Sequence, residues 1–421
     1  MASSQVRLRI LPAVRCLFDK TVHVKVEGLS PHKPLILRSE VVDDRGIIFK
    51  ATAQYRADER GCVDVSRAAS LGGSYTGVEP MGLFWSMLPE TPHHKLLKKT
   101  VLTPMQVEIS AMDGGNGGEV LASEINYREF MVEGMKRIPL KEGRLRGVLF
   151  VPPGPGPFPA IVDLYTLGGR LTELRASLLA SKGFVVMALA YHGYEDLPKN
   201  PEYFDLEYYE EAIKYLLSLP EVKGPGVGII SISHSGGHAL AISSFLDHVS
   251  ATVCINACTA NTLVPLRYKD IVIPAIPLIK ENIRISKSGL FITHDTVPDP
   301  EQYKASLIPI ERATCQFLFV ASEEDYNWTS VFFAKQAVSI LKRHNKHSYS
   351  LVLYPKAGHF IEVPHMPFCP SSVHAALGKA VAFGGEPKAN AEAQMDLWER
   401  VQRFFKSHLG VESTQNQSGN E

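Results

Sequence analysis

Apolar and polar residues alternate through the first third of the chain. Val22, Val24 and Val26 interleave with His23, Lys25 and Glu27, and the same step of two recurs at Phe49, Ala51, Ala53 and Tyr55 and at Val107, Ile109 and Ala111. Such alternation sets one face of a strand against a core and the other toward water. Turn-forming stretches separate these runs, namely Asp43-Asp44-Arg45-Gly46 and the glycine-rich segment from Asp113 to Gly118. No helical pattern follows those glycines, so they read as a hairpin loop and not as a phosphate cradle. Residues 1–140 are expected to form an all-β, immunoglobulin-like sandwich domain.

Near residue 140 the period changes. A strand is expected from Arg144 to Val151, followed by Pro152-Pro153-Gly154-Pro155-Gly156-Pro157, a stiff loop that no helix crosses. Next come a strand at 160–164, a helix at about 172–182 stopped by Gly183, and a strand at 184–190. After Asp205, the residues Leu206, Tyr209, Ile213, Leu216 and Leu217 line up on one helical face. The apolar run Gly226 to Ile232 leads into Ser233-His234-Ser235-Gly236-Gly237, with a helix expected from about His238 to Leu246. Strands at 251–256, 315–320 and 349–353, a helix at 330–343, and a last helix carrying Leu397, Val401, Phe404 and Phe405 complete the pattern. Strands alternating with amphipathic helices specify the α/β class, a mostly parallel sheet covered on both faces. Residues 141–411 are expected to form this domain, and residues 412–421, polar throughout, a disordered tail.

Composition narrows the function classes. The 421 residues suit two domains, and 44 basic residues cancel 44 acidic ones, which argues against general binding to nucleic acid or to a membrane surface. No run of about 18 apolar residues occurs, so stable membrane insertion is not expected. The N-terminus lacks an apolar signal core and the C-terminus lacks a Ser-Lys-Leu address, which leaves the cytosol as the expected compartment. The six scattered cysteines fit reduced thiols better than a disulfide framework. Cys254 and Cys258 have no second cluster to complete a zinc site, and neither a metal nor a cofactor is expected. Oligomeric state leaves no sequence signal.

The serine-glycine turn between strand and helix has the layout of a nucleophile elbow, in which a sharp turn lifts a serine oxygen clear of the sheet. A serine hydroxyl needs a histidine to take its proton and an acid to orient that histidine. In an α/β-hydrolase these follow in the chain order serine, acid, histidine. Here Asp325 sits in the loop Ala321-Ser322-Glu323-Glu324-Asp325-Tyr326-Asn327 after one late strand, and His359 ends Pro355-Lys356-Ala357-Gly358-His359 after the next. Both therefore fall at the end of the sheet where the elbow lies. Glu324 is the alternative acid. The usual Gly-x-Ser-x-Gly frame is replaced by Ser231-x-Ser233-x-Ser235, and local physics leaves the nucleophile open among these serines. An oxyanion hole needs the backbone N–H of the residue after the nucleophile, His234 if that is Ser233, and a second from the loop Tyr165-Thr166-Leu167-Gly168-Gly169.

Several runs resemble the type I acyl-CoA thioesterases, the family that includes bile acid-CoA:amino acid N-acyltransferase. They are Arg175-Ala176-Ser177-Leu178-Leu179-Ala180, Tyr194-Glu195-Asp196-Leu197-Pro198, Gly224-Pro225-Gly226-Val227-Gly228, Asn327-Trp328 and Gly358-His359-Phe360-Ile361-Glu362, with Glu79-Pro80-Met81-Gly82-Leu83 in the β domain. The similarity covers nearly the whole chain. It implies a β-sandwich followed by an α/β-hydrolase domain, acyl-CoA as substrate, and hydrolysis through an acyl-serine. Laid over the thioesterase pattern Gly-Ile-Ser-Lys-Gly-Gly, the resemblance puts the nucleophile on Ser233, the acid on Asp325 and the base on His359. Ser231 and Ser235 stand where that pattern has glycine, and His234 where it has lysine. Two other functions stay open at this point: an N-acyltransferase using glycine or taurine, and a catalytically weak acyl-CoA-binding homologue. Arg170, Lys199 and Lys269 are candidate contacts for coenzyme A phosphates, although each also reads as an ordinary solvated charge.

Overall fold

In the computed structural model, which describes residues 5–115, 118–167, 171–374 and 377–410, the alternating runs of the first third are strands with their apolar side chains inward. Ile48–Arg56 buries Phe49, Ala51, Ala53 and Tyr55 and pairs antiparallel with Pro34–Val42. That strand pairs with Met105–Asp113, which pairs in turn with Val120–Glu129. The resulting seven-stranded sheet shares one apolar core with a three-stranded sheet made of Arg7–Leu11, His23–Glu27 and Val63–Asp64. The glycine-rich segment joins two antiparallel neighbours as a hairpin loop would, with residues 116 and 117 outside the described residues.

One long polar side chain lies within this β-rich region. Arg128 is fully buried between the rings of Phe18 and Phe84, 5.4 and 4.8 Å from their centroids. It donates to the carbonyls of Phe18 and Lys20 and to Asn126 Oδ1. Burial lowers its pKa to about 10, against an opposing pull from Cys16 and Asp19.

The second sheet has eight strands: β1 (Lys136–Glu142), β2 (Leu145–Val151), β3 (Ala160–Leu164), β4 (Val185–Ala190), β5 (Val227–Ile232), β6 (Val249–Ile255), β7 (Gln316–Ser322) and β8 (Tyr349–Tyr354). Their order is β1-β2-β4-β3-β5-β6-β7-β8. The first three neighbours pair antiparallel and all later pairs are parallel. Strands β3, β4 and β5 are buried at every position because helices cover both faces of the sheet, which is why they read as unbroken apolar runs. The helices are α1 (Leu174–Ala180), α2 (Leu206–Ser218), α3 (His234–Phe245), α4 (Ser330–Arg343) and α5 (Pro387–His408). Asp205 caps α2 by accepting the Glu207 N–H at 2.9 Å. Among the described residues no helix is long and apolar enough to cross a membrane. The expected tail, 412–421, lies outside the described residues.

Helix α5 joins the two regions. Leu397, Val401 and Phe405 belong to the same core cluster as the N-terminal strands. The Trp398 indole donates to Asp19 Oδ2 at 2.9 Å, and Lys182 after α1 pairs with the same carboxylate.

Replacing Arg128 by alanine is expected to destabilise the protein by about 3 kcal/mol, because it strips packing from two rings and leaves buried carbonyls unpaired. Urea unfolding followed by tryptophan fluorescence checks this. An unchanged midpoint would show that the guanidinium contributes nothing.

Candidate active site

The turn after β5 is strained at a single residue. Ser233 has φ 60° and ψ −128°, a conformation that residues with a side chain rarely adopt and that clusters at functional sites. Helix α3 starts at once, at His234 and not near His238 as the sequence pattern suggested. The two glycines lie inside the first turn because the helix packs tightly there: a Cβ on Gly236 would stand 2.2 Å from the Cβ of Ala257. The Ser233 amide donates to Ile255 O at 2.9 Å and its carbonyl accepts from Gly236 N, so both sides of the turn are pinned. A serine at this position ordinarily caps the helix with its own oxygen. Ser233 Oγ makes no such bond and lies 2.8 Å from His359 Nε2.

The other two serines are occupied elsewhere. Ser231 Oγ donates to Val253 O at 2.9 Å across β5 and β6. Ser235 Oγ donates to Leu164 O at 2.7 Å and accepts from Ile232 N at 3.0 Å, which fastens the end of β3 to the elbow. Both are completely buried.

His359 follows β8 and carries Asp325 on its other nitrogen, with Nδ1 2.7 Å from Asp325 Oδ2. The hydrogen-bond pattern assigns Nδ1 as the donor and Nε2 as the acceptor from Ser233. Asp325 accepts four hydrogen bonds: the amides of Asn327 and Trp328 reach Oδ1, while Ser330 Oγ and His359 reach Oδ2. Its carboxylate is held from every side, whereas Glu323 is exposed and Glu324 only half-buried. The imidazole of His359 stacks on Phe383 at 5.8 Å with an interplanar angle of 17°. Its loop fits only without a side chain at Gly358, where a Cβ would stand 2.2 Å from Gly384 O.

Two residues at this site carried no sequence signal. Asn256, at φ 47°, donates to the His359 carbonyl at 2.6 Å and to Ser322 Oγ, and accepts from the Ser322 amide. Ser330, at the start of α4, supplies the fourth bond to Asp325. Neither sits in a motif; only the fold brings them in.

A cavity of about 340 Å³ opens over Ser233 and His359, walled by apolar side chains that include Leu263, Leu278, Val297, Trp328 and Phe383. The 12-residue helix α3 points its N-terminus at Ser233, so the His234 N–H and the helix dipole both favour negative charge there. Tyr165, Thr166 and Leu167 line the same cavity, as the second half of an oxyanion hole requires, while Gly168 and Gly169 lie outside the described residues. Of the basic residues considered from sequence, Lys199 and Lys269 are exposed and do not line the cavity, and Arg170 lies outside the described residues. Lys95 and Lys280 line it instead.

The sheet order and a strained serine between β5 and α3 define an α/β hydrolase with a β-rich N-terminal region. Residues 19–142 match the family model for the acyl-CoA thioester hydrolase/BAAT N-terminal region, and residues 204–411 match that for the BAAT/acyl-CoA thioester hydrolase C terminal. The chain belongs to this family. It is 45% identical to acyl-coenzyme A thioesterase 1 of Mus musculus over 407 residues, 96% of this chain and 97% of that one. It is 46% identical over 403 residues to acyl-coenzyme A thioesterase 1 of Homo sapiens, covering 95% of this chain and 96% of the relative. Acyl-coenzyme A thioesterase 2, mitochondrial, of Homo sapiens is also 46% identical, with 95% and 83% covered.

Behind the elbow lie histidines kept neutral by burial. His234 Nδ1 pairs with Thr262 Oγ1 at 2.9 Å and His238 Nδ1 with the Tyr209 hydroxyl at 2.7 Å. Burial, then the neighbouring His192, lowers His234 to about 3, and burial with His234 holds His238 well below the ordinary value. An unfolded histidine titrates near 6.5. From pH 6.5 down to about 3 the unfolded chain binds protons that these folded groups refuse, so their contribution to stability is full above pH 6.5 and lost on acidification. The thermal midpoint is expected to fall between pH 6.5 and 4, and less steeply in His238→Gln. Equal slopes in the two proteins would rule out this source of acid sensitivity.

Proposed function

We propose that this chain is an acyl-CoA thioesterase that hydrolyses fatty acyl-CoA to free fatty acid and coenzyme A, with Ser233 as nucleophile, His359 as general base and acid, and Asp325 as the acid that orients it. One observation carries this reading. An unbroken pair of hydrogen bonds, 2.8 and 2.7 Å, links Ser233, His359 and Asp325 beneath a largely apolar cavity. Membership of a family whose relatives are named acyl-coenzyme A thioesterases supports the substrate class.

The reaction follows from that geometry. Ser233 Oγ attacks the thioester carbonyl while its proton passes to His359 Nε2, and Asp325 stabilises the resulting imidazolium. The carbonyl oxygen becomes an oxyanion facing the His234 N–H and the start of α3. As the tetrahedral carbon collapses, the carbon–sulfur bond breaks and the coenzyme A sulfur leaves with the proton from His359. A water then attacks the acyl-serine, giving its proton to Nε2. Collapse of the second tetrahedral species frees the fatty acid and returns the proton to Ser233 Oγ. The intermediate is an oxygen ester, a species suited to attack by water. An acyl-cysteine, as in the bile acid acyltransferases, keeps thioester reactivity for an amine. Serine at position 233 therefore favours hydrolysis over conjugation.

The same reading takes residues 1–140 as a β domain and residues 141–411 as the catalytic domain. Sheet membership favours a slightly earlier boundary, since it changes between Glu129 and Lys136 and the strand Lys136–Glu142, which belongs to the catalytic sheet, runs across residue 140. The six free cysteines, four of them buried, suit a reducing compartment, and we take the cytosol as the place of action.

A fluorophosphonate probe is expected to label the wild type and Ser235→Ala but not Ser233→Ala, whose kcat for palmitoyl-CoA should fall by at least about 1000-fold. Labelling that survives in Ser233→Ala would refute the nucleophile. With glycine or taurine present at physiological concentration, free acid should remain the main product. Predominant amide would replace the thioesterase reading with an acyltransferase.

A further inference from the structure

The wall of the cavity contains a charge that the mechanism above does not use. Lys95 lies in the extended segment between the strands Leu88–Pro89 and Met105–Asp113, within the N-terminal region, yet it lines the cavity together with Ser233 and His359. Its ammonium is 2.5 Å from Glu362 Oε1 and also donates to the Tyr165 hydroxyl. The same hydroxyl donates to Glu362, so lysine, tyrosine and glutamate close a ring of hydrogen bonds. The ammonium stands 4.8 Å from the ring centroids of both Tyr165 and Phe360, within cation–π range of each.

Each partner of this cation belongs to a loop next to the chemistry. Tyr165 is the first residue after β3 and opens the loop expected to give the second oxyanion N–H. Its carbonyl accepts the Tyr191 hydroxyl at 3.0 Å, and the Arg175 guanidinium lies 5.5 Å over its ring. Glu362 and Phe360 lie three residues and one residue after His359. The backbone of Lys95 is itself anchored, because Arg45 donates to its carbonyl and is held by a buried carboxylate, Asp43, at 2.6 Å. Burial alone would depress the lysine and raise the glutamate. Their mutual attraction outweighs burial, holding Lys95 above and Glu362 below their ordinary values, so both stay charged.

We propose that Lys95 is a positioning residue for acyl transfer, a cation supplied by the N-terminal region that locks the Tyr165 loop to the His359 loop and so fixes the oxyanion site relative to the base. This inference deepens the thioesterase reading and rests on it. Removal of the cation leaves the Glu362 carboxylate without its countercharge and the Tyr165–Glu362 hydrogen bond as the remaining side-chain link of this ring, so Tyr165 is held less firmly against the His359 loop. A misplacement of this kind lowers the rate of the chemical step and spares substrate binding, which depends on the rest of the cavity.

The test uses the full chain with Lys95→Met and Tyr165→Phe, each normalised to active sites titrated with fluorophosphonate. Both variants are expected to lose about 10-fold or more in kcat for palmitoyl-CoA, with KM within about 3-fold of wild type. Both should also react with the fluorophosphonate at least 3-fold more slowly. A merely structural lysine would lower the number of titratable sites and leave the rate per site unchanged. Rates per site within 3-fold of wild type in Lys95→Met would overturn the proposal. So would a slow Lys95→Met beside a Tyr165→Phe of wild-type rate, because the effect would then not pass through the loop. If Lys95→Met does not fold, Tyr165→Phe alone decides. The probe rate also separates this inference from the substrate assignment: a wild type that is labelled but leaves palmitoyl-CoA intact refutes the thioesterase reading, and the labelling rates still judge Lys95.

Discussion

The side chain of Asn256 holds together the ends of three adjacent parallel strands. Its own amide donates to Val320 O at 2.8 Å, its carboxamide bridges to Ser322, and its Nδ2 reaches the His359 carbonyl at 2.6 Å. One residue earlier, the Ile255 carbonyl receives the Ser233 amide. The Ser233 turn, the Asp325 loop and His359 are thereby tied to one point at the carboxyl ends of β6 and β7. Every dimension of the relay depends on this point, because Ser233 and His359 are 126 positions apart in sequence and meet only if β5, β6, β7 and β8 keep register. Asparagine is well matched to this position, since it tolerates a positive φ and offers both donor and acceptor in one short side chain.

The departures of the elbow from Gly-x-Ser-x-Gly have a physical explanation in these surroundings. Ser231 and Ser235 each spend a hydroxyl on a neighbouring strand, so the extra atoms are satisfied and buried. The strained conformation falls on Ser233 itself, while the closest steric approach falls on Gly236, which the chain keeps. Two of the three serines thus stiffen the turn that presents the third. His234, in place of the family's lysine, brings an imidazole that burial keeps neutral to the base of the cavity.

Much of this was legible from residue patterns. Alternation at Phe49, Ala51, Ala53 and Tyr55 described the strand and its buried face, and unbroken apolar runs described β3, β4 and β5. Asp325 and His359 were legible because loops after consecutive parallel strands must lie side by side. The residues alone did not decide between Ser233 and Ser235, since both are small hydroxyl residues in the same strand-to-helix turn. That choice rests on backbone strain and on which hydroxyl is already engaged, and neither is written in spacing. The helix start was misplaced because Gly236 and Gly237 look like loop until Ala257 is seen against them. Arg128, Asn256 and Lys95 gave no signal: an arginine in a core, an asparagine after a strand and a lysine in an irregular segment all look like solvated residues until the chain folds back.

The N-terminal region is consequently more than an attached module. It supplies Lys95 to the cavity wall and Asp19 to α5, and His93 Nδ1 meets Ser371 Oγ at 2.9 Å. The central claim is still the covalent one, that an acyl group passes through Ser233. Rapid acid quench of the wild-type enzyme within milliseconds of mixing with palmitoyl-CoA, followed by peptide fragmentation mass spectrometry, tests it most directly. A palmitoyl ester localised to Ser233 is the predicted result. An adduct on any other residue, or turnover without an adduct on Ser233 when the acylated species is trapped, would contradict it.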